Sequence, residues 1–140
     1  MSTNPILIPM FAMVALTFAV WVRLYVVRIR EMRARRIDPQ AVASSRKRAE
    51  LLDDTRASDN FVNLFEVPLL FHVLCIVLLV TQTQNPWFVY GAWLYVILRV
   101  MHSAVQCTYN RVMHRFSIYF ASTLVLMALW IGLAIRALGV

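Results

Sequence analysis

The chain has 140 residues, enough for one domain, and 61% of them are hydrophobic, more apolar surface than a water-soluble domain of this size can cover. Three Gly, five Pro and the lack of strict polar–apolar alternation over strand-length runs set aside a β-barrel and leave helices. The net charge is +7, but the basic residues cluster between Arg28 and Arg56 beside apolar runs, where such charge fixes topology and meets anionic lipid; this excludes nucleic acid as the partner.

The first apolar run, 6–27, predicts a transmembrane helix. No positive segment precedes it and the basic cluster follows it, so it does not read as a signal peptide. Pro5 and Pro9 sit near its start, where proline is tolerated. Arg23 lies in its last turns, from which it can snorkel to the interface. Residues 28–55 form the one long hydrophilic stretch, a basic loop. Asp38-Pro39 marks a turn or a helix start within it, and Ser44 to Arg48 read as solvated loop.

A second span is expected over 56–81, bent at Pro68. The linker Thr81-Gln82-Thr83-Gln84-Asn85-Pro86 is short and uncharged, so spans two and three must form an antiparallel hairpin. Span three is expected over 87–107, with Trp87 and Tyr90 in an aromatic belt, and span four over 115–135, with Trp130 and Arg136 at its exit. Cys75 and Cys107 lie in different spans without a CxxC pattern and read as buried, reduced thiols. The fold class is therefore all-α, a four-helix integral membrane bundle. Both basic connections belong on the cytoplasmic side, and both termini outside.

Two polar stripes interrupt this apolar chain. Arg56, Asp59, Asn63 and Glu66 recur at steps of three and four, as do Arg99, His102 and Gln106. Each set occupies one face of a helix. The topology brings both stripes to the cytoplasmic end, beside Asn60, Arg115 and Tyr119. Ionic groups within membrane spans are costly unless they meet a partner, water or a ligand. Arginine forks match carboxylates and a Glu holds an ammonium, so the set suits a small zwitterionic or anionic ligand. The competing reading is internal: Arg99 pairs with Glu66, and Asn63 joins two helices.

At these residues the chain resembles the MAPEG family, the membrane-associated proteins of eicosanoid and glutathione metabolism, and in particular its bacterial branch. That family carries an Arg, then Asn-x-x-Glu, then Pro in its second helix; here these are Arg56, Asn63-Leu64-Phe65-Glu66 and Pro68. A second register matches Arg56 and Asn60 instead. The prostaglandin E synthase branch carries Arg-x-x-His-x-x-x-Tyr in helix three, then Arg and Tyr in helix four. Here these positions are Arg99, His102, Gln106, Arg115 and Tyr119, with Gln106 in place of Tyr.

The resemblance implies a homotrimer in a bacterial inner membrane, with glutathione as cofactor between subunits and a lipophilic substrate arriving through the bilayer. It implies that Arg56, Asn63, Glu66, Arg99, His102, Gln106 and Tyr119 bind glutathione, and that Arg115 stabilises its sulfur during transfer or reduction. The alternative is a lipid-binding scaffold of the same fold that does no chemistry.

Overall fold

A computed structural model describes residues 4–139. Among them are α1 (Leu7–Arg35), a 3-10 turn (Pro39–Val42), α2 (Ser45–Leu51), α3 (Arg56–Leu64), α4 (Val67–Val80), α5 (Pro86–Cys107) and α6 (Val112–Leu138). No strand occurs among the described residues. Four stretches, Leu7–Arg35, Arg56–Val80, Pro86–Cys107 and Val112–Leu138, are long and apolar enough to cross a bilayer. The protein is an all-helical membrane bundle.

Helix α1 runs past Val27, where the hydropathy pattern places its end, to Arg35. Nothing between Arg28 and Arg35 breaks a helix, and Arg, Glu, Met and Ala all favour one. At about 1.5 Å per residue, its 29 residues exceed the roughly 30 Å hydrocarbon layer, so the basic turns stand clear of it. Left-handed Arg36 (φ 53°) ends it, and Ile37 N–H donates to the Met32 carbonyl at 2.9 Å, as in a Schellman cap.

Residues 36–55 are less of a loop than their charge suggests. Asp38 accepts from Gln40 N–H at 2.9 Å and starts the 3-10 turn. Ser44 accepts from Lys47 N–H at 3.3 Å and caps α2, which takes in Arg46, Lys47 and Arg48. The sequence reading had these three in solvated loop; an N-cap and good helix formers outweigh their mutual repulsion. Glu31 holds the segment's end to α1, accepting from Asp53 N–H at 2.7 Å and from Arg35 at 3.0 Å. Asp54 then grips Arg56 with two oxygens, at 2.9 and 2.8 Å.

Span two is two helices. Pro68 has no N–H for the carbonyl of Leu64, and its ring collides with that turn. The helix ends at Leu64, and Pro68 enters the first turn of α4. At the junction, Phe65 N–H still bonds the Val62 carbonyl at 2.9 Å, and Glu66 takes a non-helical conformation (φ −89°, ψ −110°). The expected bend is thus a break, with Glu66 outside helical geometry.

The uncharged linker closes the expected hairpin: Gln82 is left-handed (φ 51°), and Asn85 caps α5 by accepting from Trp87 N–H at 3.0 Å. Helix α5 lies against α1, α3 and α6. The apolar core fills the end of the bundle near this linker, around Met13, Phe71, Leu74, Leu78, Ala92 and Leu129. Phe71 and Tyr95 stack there at 4.7 Å. Trp130 donates to the Leu70 carbonyl at 3.3 Å and joins α6 to α4. Small residues let α5 and α6 approach closely. A Cβ at Gly91 would fall 2.5 Å from Leu129, and one at Gly132 2.7 Å from Trp87.

Gly91→Val is expected to destabilise the bundle by about 1–3 kcal/mol through overpacking, read as a lower thermal midpoint in detergent. The second expectation concerns Asp54, whose carboxyl the Arg56 guanidinium holds below the usual carboxylate range despite some burial. Its contribution is therefore complete above the ordinary Asp value of about 3.9 and disappears as pH falls through the lower folded-state value. Asp54→Asn should lower the midpoint slightly at neutral pH, and the gap to the parent should close in acid. A gap independent of pH would show that the ionised pair contributes nothing.

Candidate functional site

The end of the bundle opposite the linker holds a cavity of about 390 Å³, within the range of roughly 300–1,000 Å³ usual for small-molecule sites. Asp59, Asn63 and Glu66 face it from α3 and the α3–α4 junction, His102 and Gln106 from α5, and Arg115 and Tyr119 from α6. Val62, Val112 and Phe116 supply apolar wall. Spacing of three and four residues puts each polar group on its helix face. The break at Phe65 brings Glu66 to the rim beside Asn63.

Arg99 lies one layer behind this wall. It is 0% exposed, donates to Asn63 Oδ1 at 2.6 Å, and sits 5.6 Å from the centre of the Tyr119 ring. That placement allows a cation–π contact. Among the described residues, its Nε and Nη1 have no protein partner, and neither do His102 Nδ1, Gln106 Oε1 or the Tyr95 hydroxyl. Among the described residues, no carboxylate forms an ion pair with Arg99 or Arg115. The internal Arg99–Glu66 pairing is therefore not what holds this end together. The Arg115 guanidinium donates through Nη1 to Asn110 Oδ1 at 3.0 Å, which anchors it at the border of the cavity. His102 lies against Tyr119, ring centres 5.8 Å apart.

Two residues singled out from the sequence stand elsewhere. Arg56, at the first turn of α3, is committed to Asp54 and to the Thr108 carbonyl, and does not line the cavity. Arg23 donates to the Cys107 carbonyl. Both arginines thus serve unpaired carbonyls at the end of α5, where cations are favoured. Asn60 is also 0% exposed. It accepts from Ser103 Oγ at 3.2 Å and donates to Cys107 Sγ at 3.5 Å, joining α3 to α5. Between the two possible registers, Asn63 is the asparagine at the cavity and Asn60 the one in the helix contact. Val112 and Phe116 had no signal in the sequence beyond being apolar. Tyr95 likewise carries no sequence signal beyond its place in apolar span three.

The profile of the MAPEG family matches residues 6–135, nearly the whole chain. The chain belongs to the MAPEG family. No curated protein and no solved structure matches it significantly. Membership of the MAPEG family agrees with the four apolar helices and makes this an integral membrane protein in contact with lipid. The family is associated with glutathione, and in this MAPEG protein the cavity between α3, α5 and α6 is where polar side chains of three helices meet.

Asn60→Ala should cost about 1–2 kcal/mol by leaving the Ser103 hydroxyl and the α3–α5 contact unsupported. The loss is expected in thermal unfolding, without a change in which ligands the cavity takes.

Proposed function

We propose that this protein binds glutathione in the cavity bordered by Asn63, Glu66, Gln106, Arg115 and Tyr119, and uses it to conjugate or reduce a lipophilic substrate. The observation that carries this reading is a buried guanidinium behind the cavity wall whose donors the protein does not satisfy. Among the described residues, two guanidinium nitrogens of buried Arg99, Nε and Nη1, have no protein partner, and Arg115 borders the cavity without a carboxylate bonded to it. Leaving a desolvated cation unpaired is costly, and an anionic guest offsets that cost. Glutathione carries carboxylates and an ammonium, and the cavity offers both complements: Arg115, and the carboxylates of Asp59 and Glu66.

When bound, glutathione supplies a thiol sulfur as nucleophile. Glu66 and Asp59 attract its ammonium, and Asn63 and Gln106 offer amides to its backbone. Arg99 supports the wall from behind and lends a positive field, and His102 offers a ring nitrogen from the wall itself. Arg115 is the proposed catalytic residue: its guanidinium favours negative charge at the reacting sulfur and so lowers the cost of removing the thiol proton. In a conjugation the sulfur bonds to the electrophilic carbon, and the proton leaves to water or to the leaving group. Phe116, Val112 and Val62 give the lipophilic substrate an apolar approach. A homotrimer is part of the proposal, with cavities at subunit boundaries, the basic loop on the cytoplasmic side of a bacterial inner membrane and the termini outside.

Calorimetry on the detergent-solubilised protein should detect glutathione binding, weakened about ten-fold or more in Glu66→Ala by loss of a charged hydrogen bond. With a chromogenic electrophile, Arg115→Ala should lower kcat/KM by about a hundred-fold or more. Absence of binding by the parent would reject the proposal and leave the lipid-binding scaffold. Binding with no rate above the detergent blank would reject catalysis alone.

A further inference from the structure

A second polar site lies on the other side of α3, where α1, α2 and α3 meet at the basic end. A hollow of about 300 Å³ there is bordered by Arg28, Arg48, Ser58 and Tyr25, with no carboxylate among its lining residues. Arg28 stands 5.7 Å over the Tyr25 ring. The one hydrogen bond of the Arg48 guanidinium among the described residues is a long one, 3.5 Å to the Ala43 carbonyl. Neither arginine forms an ion pair among the described residues. Trp21 and Tyr25 pack with ring centres 4.8 Å apart, an aromatic pair of the kind found at head-group depth.

The hollow shares Trp21 and Phe61 with an apolar groove of about 430 Å³ that continues between α1 and the α3–α4 junction. Phe18, Phe65 and Leu69 line that groove. The break at Pro68 helps to open it, because α3 and α4 do not continue one straight cylinder along α1. Two guanidinium groups thus stand at the basic end of the bundle, and an apolar groove wide enough for an acyl chain leads away from them.

We propose that this path is a binding site for an anionic glycerophospholipid, with its phosphate between Arg28 and Arg48 and one acyl chain in the groove beside Phe18, Trp21 and Phe61. Guanidinium forks match phosphate oxygens. Asp54 and Asp59 border an adjoining hollow with these arginines, but Asp54 is bonded to Arg56 and, among the described residues, neither carboxylate pairs with Arg28 or Arg48. The two guanidinium groups therefore favour an anionic head group over a zwitterionic one, whose choline would meet the same arginines. The continuous apolar groove selects a lipid over a free phosphate. The site takes a membrane component and does not depend on glutathione binding on the opposite face of α3.

Native mass spectrometry of the detergent-solubilised full chain, titrated with dioleoyl phosphatidylglycerol or dioleoyl phosphatidylcholine, tests this. The glycerol lipid should bind at least ten-fold more tightly than the choline lipid. Each arginine contributes about five-fold at a membrane surface, so Arg28→Gln with Arg48→Gln should weaken it about thirty-fold. The paired Arg28→Lys and Arg48→Lys variant should keep most of the affinity. Arg36→Gln with Arg111→Gln, which removes the same charge elsewhere, should change it less than three-fold. Should the glutamine pair not stay monodisperse, Thr17→Trp fills the groove and leaves both arginines; it should also abolish tight binding. Equal affinity for the two lipids, equal loss in the Arg36/Arg111 control, full retention in Thr17→Trp, or equally efficient displacement by soluble glycerol phosphate would each overturn the proposal.

Discussion

Pro68 withholds one N–H in the middle of an apolar span, and the arrangement of the bundle's polar end follows from that. A membrane helix must satisfy its backbone internally, so a proline there forces either a bend with compensation or a break. Here α3 stops at Leu64 and α4 restarts at Val67. The break leaves Glu66 outside helical geometry at the cavity rim, while α3 keeps Asp59 and Asn63 on the same wall. It also separates two jobs within one span. Helix α4 packs into the apolar core through Phe71, Leu74 and Leu78, and α3 carries polar groups toward α5.

The arginines divide by what satisfies them. Arg23 and Arg56 reach the carbonyls at the end of α5 and stabilise a helix terminus. Arg35 and Arg56 pair with carboxylates of the polar segment. Arg99 is different: it is fully desolvated, held by one amide oxygen and an aromatic face, with two of its guanidinium nitrogens left without a partner among the described residues. Within an integral membrane bundle of the MAPEG family, such a residue is hard to explain by packing alone, because replacing it with an apolar side chain of similar size would relieve a large desolvation cost. Its position behind Asn63 and Tyr119 connects that cost to the cavity.

Much of the architecture is legible from the chain itself. Four apolar runs, the uncharged turn before Pro86 and an interruption at Pro68 follow from local chemistry, although a bend was the expectation there and the structure has a break. The three-and-four spacing also places Asp59, Asn63 and Glu66 on a common face, as it does His102 and Gln106. Spacing did not reveal that Arg56 turns away from that face. It sits at the helix start, where the preceding Asp54 is close enough to capture it. The distinction between Asn60 and Asn63 was equally hidden. One turn apart, they differ by whether Ser103 and Cys107 or Arg99 stands opposite, and that depends on how α3 rotates against α5.

By itself the sequence determined the solvent, the helices and the faces of those helices, because hydropathy, backbone chemistry and the period of 3.6 are properties of neighbours along the chain. Only the tertiary structure decided which polar groups satisfy each other and which are left with free donors. That is a matter of distances between helices far apart in sequence, where a shift of a few ångströms decides whether Arg99 meets a carboxylate or only an amide.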